Sequence, residues 1–260
     1  MESEKGMKDM KKRSFKAVLL LFVLTTLTIA LGGCSGDKKG DISSQITIGI
    51  PQDLEDSLDP HKMVTAGTRE VLFNIFEGLV KVTSDGDFVP AVASSYEETE
   101  GGKVYTFTLR DNVKFHDGST VTAEDVKFSL DKCADTSAGE PLVAAFSNID
   151  SVNILDDKTV QVVLKEADTE FLAYMTTAII PASNADPDTN PIGTGPYKFV
   201  SRSPQENFVM ERFDDYWGEK PDLTKVTYKI IENADSILLS LQSGAVDVFA
   251  HLTTNQIQQL

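Results

Sequence analysis

The 260-residue sequence is poor in cysteine, histidine, tryptophan and positive charge. Its two cysteines, Cys34 and Cys133, cannot supply the dense disulfide framework of a small secreted scaffold, so stability has to come from a hydrophobic core. His61, His116 and His251 stand alone, with neither an HExxH pair nor a Cys-His spacing suited to zinc, and no Gly-x-Ser-x-Gly elbow occurs. Neither a metal cofactor nor an enzymatic function is therefore expected. Lys and Arg number 24 against 40 Asp and Glu, a formal charge of −16 that repels nucleic acid and anionic lipid surfaces. The longest uncharged apolar stretch is 15 residues, Ala17 to Leu31, too short to cross a hydrocarbon core of about 30 Å comfortably.

What surrounds that stretch gives it a meaning. Lys5, Lys8, Lys11, Lys12, Arg13 and Lys16 precede it, and Leu31-Gly32-Gly33-Cys34 follows, with small residues before a cysteine. The pattern predicts a lipoprotein signal peptide over residues 1–33, cleavage before Cys34, and a lipid on its thiol. A short membrane anchor with an incidental cysteine is the plainer alternative. Residues 34–41 read as a flexible, lipid-anchored tether of polar residues and glycine. Once Cys34 is acylated, no intrachain disulfide is possible. Removing six basic and three acidic residues with the leader leaves a mature charge of −19. The remaining length suffices for one large domain or two small ones.

Along the mature chain, Ile46 to Pro51 predicts a strand, followed by a turn-rich acidic loop. Val71, Leu72, Ile75, Phe76, Leu79 and Val80 recur at helical spacing and predict an amphipathic helix over 68–81, with Arg69, Glu70 and Asn74 on its polar face. Tyr105, Phe107 and Leu109 alternate as one face of a strand that follows a Gly101-Gly102 turn. A turn over 116–119 leads to Thr122-Ala123-Glu124-Asp125, which predicts a capped helix start with Val126, Leu130 and Cys133 inside. A second hairpin is expected around 156–158, a short helix over 169–175, and strands from Tyr197, over 207–212 and over 225–231. A helix over 234–242 ending at Gly244, a strand over 246–249 and a new helix start at Thr253 complete the reading.

Four blocks stand out: SLDP at 57–60 with FEGL at 76–79; YTFTLR at 105–110 running through VKFHDG at 113–118 to AEDV at 123–126; GTGPY at 193–197; and DYWG at 215–218 with SGAVD at 243–247. In this order they closely resemble family 5 of the bacterial extracellular solute-binding proteins, the peptide and nickel group that feeds ABC importers. The resemblance covers residues 45–260. It implies a mixed α+β and α/β fold like a class II periplasmic binding protein. Members run to roughly twice this length, so the chain reads as lobe I with an inserted subdomain, the second lobe being absent. The mixed-sheet subdomain is expected over 42–82 with 183–260, and the insertion over 83–182.

The same resemblance implies the function: capture of an oligopeptide or similar small solute, and its delivery to ABC permease subunits, by a monomer held outside the membrane through its lipid. A sensing or adhesion lipoprotein, or an inactive fragment, are the alternatives. The implied pocket wall is Val64, Thr65, Ala66 and Gly67, with Phe249, Ala250 and His251. Where peptide binders of the family can carry an acid for the peptide amine, this chain has Val64. Phe249 as core and His251 as a solvated hinge residue remain open alternatives. Gly118, Gly195, Gly218, Pro196 and Trp217 are expected to be structural.

Overall fold

The computed structural model describes residues 44–260, except for 56, 138, 185, 250, 251, 259 and 260. The expected signal peptide, Cys34, the tether, Ala250 and His251 lie outside the described residues.

Strand β1 (Gln45–Ile50) sits inside a five-stranded mixed sheet, between β11 (Val248–Phe249) and β10 (Lys225–Ile230), and runs parallel to both. Strands β9 (Asn207–Arg212) and β8 (Tyr197–Ser203) continue the sheet antiparallel. The pleat sends Ile46, Ile48 and Ile50 to one face, where they join Leu72, Ile75, Phe208, Met210 and Tyr228. Gly49 points the other way, under the ring of its partner Phe249. A β-carbon on Gly49 would stand 2.3 Å from that ring, so only glycine fits there.

The second large sheet is antiparallel, in the order β4 (Ala93–Thr99), β5 (Val104–Leu109), β7 (Thr159–Leu164), β6 (Ile149–Asp156). Tyr105, Phe107 and Leu109 are buried as their alternation predicts, and Gly101 and Gly102 take the positive φ angles of the turn before them. Against this core lies the helix Ala123–Ala134. Thr122 and Asp125 close a reciprocal capping box at its start, and Val126, Leu130 and Cys133 are buried. Burial pushes the Cys133 thiol up to about 12, so it is an inert filler. A small hairpin, β2 (Val80–Val82) with β3 (Phe88–Pro90), precedes this sheet.

One sequence expectation is corrected. The helix placed over 68–81 is a seven-residue segment, α1 (Ala66–Leu72), although all six of its apolar residues are buried as expected. Periodicity fixed which residues go inside; tertiary hydrogen bonds decided the backbone. The Asn74 side-chain amide donates to the Val71 carbonyl at 3.0 Å, closing the last turn. Beyond it the carbonyls of Asn74 and Ile75 accept from the amides of Tyr197 (3.1 Å) and Gly195 (2.9 Å), so the chain leaves the helix to lie against GTGPY. β-Carbons on Gly193 or Gly195 would fall 2.1 and 2.5 Å from those carbonyl oxygens. The short helix over 169–175 is also adjusted, to a 3₁₀ segment, Phe171–Thr176. With the Ala123–Ala134 helix as α2, α3 (Ala234–Gln242) and α4 (Thr254–Ile257) fall where Asn233, Gly244 and Thr253 place them.

Candidate functional site

Because β1, β10 and β11 are parallel, their carboxyl ends share one edge of the sheet. The chain leaves β1 for α1, on the Ile48 face, and leaves β10 for α3, whose Ile237 packs with Phe249 on the Gly49 face. Adjacent strands whose connections part to opposite faces open a crevice at their carboxyl ends, where ligands of open α/β sheets bind.

The loop between β1 and α1 is held from several sides. Arg202 donates 2.7 Å hydrogen bonds to the carbonyls of Leu54 and Glu55. Burial raises the Asp53 carboxyl, but the amides of Gln205 and Leu54 and the Arg202 guanidinium outweigh it and hold the group below its ordinary range. Asp59, fully buried, accepts from Lys132 on α2 at 2.7 Å and from the His61 amide at 3.1 Å. The His61 ring lies 2.8 Å from the Ala178 carbonyl through Nε2, and burial keeps it below its ordinary pKa. Lys62 pairs with Asp188 at 3.0 Å. SLDP is thus a docking loop whose acid reaches α2, a role its composition did not disclose.

At the end of this loop Val64 and Thr65 are exposed, and in the first turn of α1 Ala66 is exposed and Gly67 half-buried. The Val64 and Thr65 amides are already engaged by the Glu55 carboxylate, at 3.1 and 3.4 Å, and the Thr65 hydroxyl accepts from the Thr68 amide at 3.4 Å. Two cavities flank the segment. One, of about 420 Å³, includes Ile48, Ile50, Asp53, Gly67, Glu70 and Tyr228 in its wall. The other, of about 350 Å³, includes Met63, Arg69, Phe73, Leu142, Val143 and Thr176. Phe249 joins neither: it is buried with Ile231, Ile237 and Val246. Sequence reasoning did not single out Arg69, Phe73 or Leu142. Phe73 breaks the helical stripe as an exposed aromatic, and that was the available signal.

FEGL and DYWG meet through one carboxylate. Glu77 accepts from the Tyr216 hydroxyl at 2.7 Å and from the Trp217 indole at 2.6 Å, and burial raises its pKa. Arg110 stacks over Trp217 at 4.3 Å. His116 bridges GTGPY, with Nε2 3.0 Å from the Gly195 carbonyl and Nδ1 accepting from the Gly193 amide at 3.3 Å. Among the described residues, no group of three or more His, Cys, Asp or Glu is placed to hold a metal ion.

This architecture has counterparts in known proteins. Residues 87–260 match the family described as bacterial extracellular solute-binding proteins, family 5 Middle. The chain belongs to that family. It is 30% identical over 268 residues to the oligopeptide-binding protein AppA of Bacillus subtilis, covering 92% of this chain and 48% of AppA. It is also 30% identical over 201 residues to the nickel-binding periplasmic protein of Escherichia coli, covering 74% and 38%. A solved structure of the periplasmic binding protein DppA of Helicobacter pylori, in complex with peptide STSA, superposes with a TM-score of 0.76 at 27% identity, covering 83% of this chain and 48% of that one. The chain therefore spans about half the length of AppA and DppA. The fold is the mixed α/β fold of family 5 periplasmic binding proteins, and the named relatives are binding proteins rather than enzymes.

Proposed function

We propose that the protein is an extracytoplasmic, lipid-anchored receptor that captures an oligopeptide or similar solute and hands it to an ABC permease. The observation that carries the reading is the crevice at the carboxyl ends of β1 and β10: a firmly held loop presents the exposed Val64–Ala66 run between two cavities. Relatives that bind peptide and nickel share the fold, which supports a small solute without choosing among them. In this reading 42–82 with 183–260 form one subdomain and 83–182 an insertion. The five-stranded sheet draws its strands only from the first, and the antiparallel sheet only from the second. Val64 to Gly67 belong to the pocket wall, whereas the burial of Phe249 favours a core role for it. Calorimetric titration of the natural protein against a tripeptide library tests the peptide reading, and no peptide binding tighter than about 100 µM would refute it. The anchor has its own test: Cys34→Ser should abolish incorporation of an alkyne fatty acid, and equal labelling of the variant refutes it.

A further inference from the structure

The two cavities beside the Val64–Gly67 segment differ in charge. The one beside Gly67 has Asp53 and Glu70 in its wall and no cationic side chain. The one beside Met63 has a single formally charged side chain, Arg69, in an otherwise apolar and hydroxyl-bearing wall. His61 in that wall is held toward its neutral form by burial, so it adds no competing charge. Arg69 is also the one described arginine without an acidic or aromatic partner. Arg110 stacks on Trp217, Arg202 pairs with Asp53 and Arg212 with Asp214. The Arg69 guanidinium is nevertheless positioned, because Nε and Nη2 donate to the Met63 carbonyl at 3.3 and 2.9 Å. The Nη1 donors remain for a further acceptor. Around it Phe73 is 67% exposed and Leu142 46%, an apolar surface of the kind that marks a binding groove.

We propose that the Met63-side cavity receives a carboxylate-bearing solute with an apolar body, its carboxylate paired to Arg69 and its body laid over Phe73, Leu142 and Val143. A positioned guanidinium in the wall of an otherwise apolar groove favours an anionic group on the ligand.

This proposal rests on the solute-binding reading, and its test separates the two. The natural protein is titrated with a set of apolar tripeptides, each as the free acid and as the C-terminal amide. The free acids should bind about tenfold tighter than the amides. Arg69→Gln should erase that preference, and Arg69→Lys should keep part of it through charge alone. Should the Gln variant fold poorly, a reduced preference in Arg69→Lys carries the same meaning. Equal binding of acids and amides by the parent, or an undiminished preference in both variants, overturns the role of Arg69 and leaves the solute-binding reading standing. Failure of every peptide in both forms overturns this proposal together with the peptide reading it rests on.

Discussion

Replacing Lys132 by Met should destabilise the protein by about 3 kcal/mol, although Lys132 lies on a helix surface and its side chain is 23% exposed. The reason lies with its partner. The Asp59 side chain is 1% exposed, and among the described residues Lys132 supplies its only short cationic contact, at 2.7 Å. Removing the ammonium leaves a buried carboxylate with the His61 amide and with Lys62, whose Nζ is 3.8 Å away on a side chain 47% exposed and screened by solvent. Breaking a buried pair by deleting one partner costs about 3–5 kcal/mol, and the residual contacts place this case at the low end. For a chain of this size each kcal/mol shifts the melting temperature by about 2–4 °C, so a fall of about 6–12 °C is expected in a thermal melt followed by circular dichroism. Asp59→Asn combined with Lys132→Met should recover part of the loss, because the uncompensated charge is gone. If Lys132→Met melts within about 1 °C of the parent, the pair is an ordinary surface contact and the reasoning fails.

Gly195→Ala drives a β-carbon to within 2.5 Å of the Asn74 carbonyl and should cost about 3 kcal/mol in urea denaturation, whereas Gly118→Ala meets open space at φ +88° and should cost about 1 kcal/mol. Equal losses for the two would refute the docking of GTGPY on Asn74 and Ile75. His116 is half-buried, and the desolvation of its ring pushes its pKa down to about 4, so the folded protein excludes a proton that the unfolded chain accepts near pH 6.5. Its contribution is present above pH 6.5 and is lost as the pH falls through that value toward 4. The stability difference between parent and His116→Gln should therefore shrink by about 3 kcal/mol from pH 7.5 to pH 4, and a flat difference would disprove the burial argument.

Sequence alone determined the elements whose signals are local. The Thr122–Asp125 capping box, the Gly101-Gly102 turn, the alternation of Tyr105, Phe107 and Leu109, and the Thr253 cap all appear where the chain spells them, because each rests on contacts within a few residues. The ordered motif blocks also sufficed for the family. What the tertiary structure decided involves partners far apart in the chain. The apolar stripe from Val71 to Val80 is consistent with one helix, and distant amides, those of Gly195 and Tyr197 on Ile75 and Asn74, of Ile179 on Glu77 and of Val92 on Gly78, draw its second half out of helical conformation. Asp59 and Glu77 read as unremarkable acids until Lys132, Tyr216 and Trp217 are brought to them. For Phe249 the sequence left pocket wall and core open, and the absent side chain of Gly49 turns it into core. Arg69 belonged to a polar helix face, and it became a candidate ligand contact only when Leu142, more than seventy positions later, closed the other wall of the same cavity. Spacing along a chain reports on short-range geometry; which charges end up buried, paired or left over is settled by the packing of distant segments.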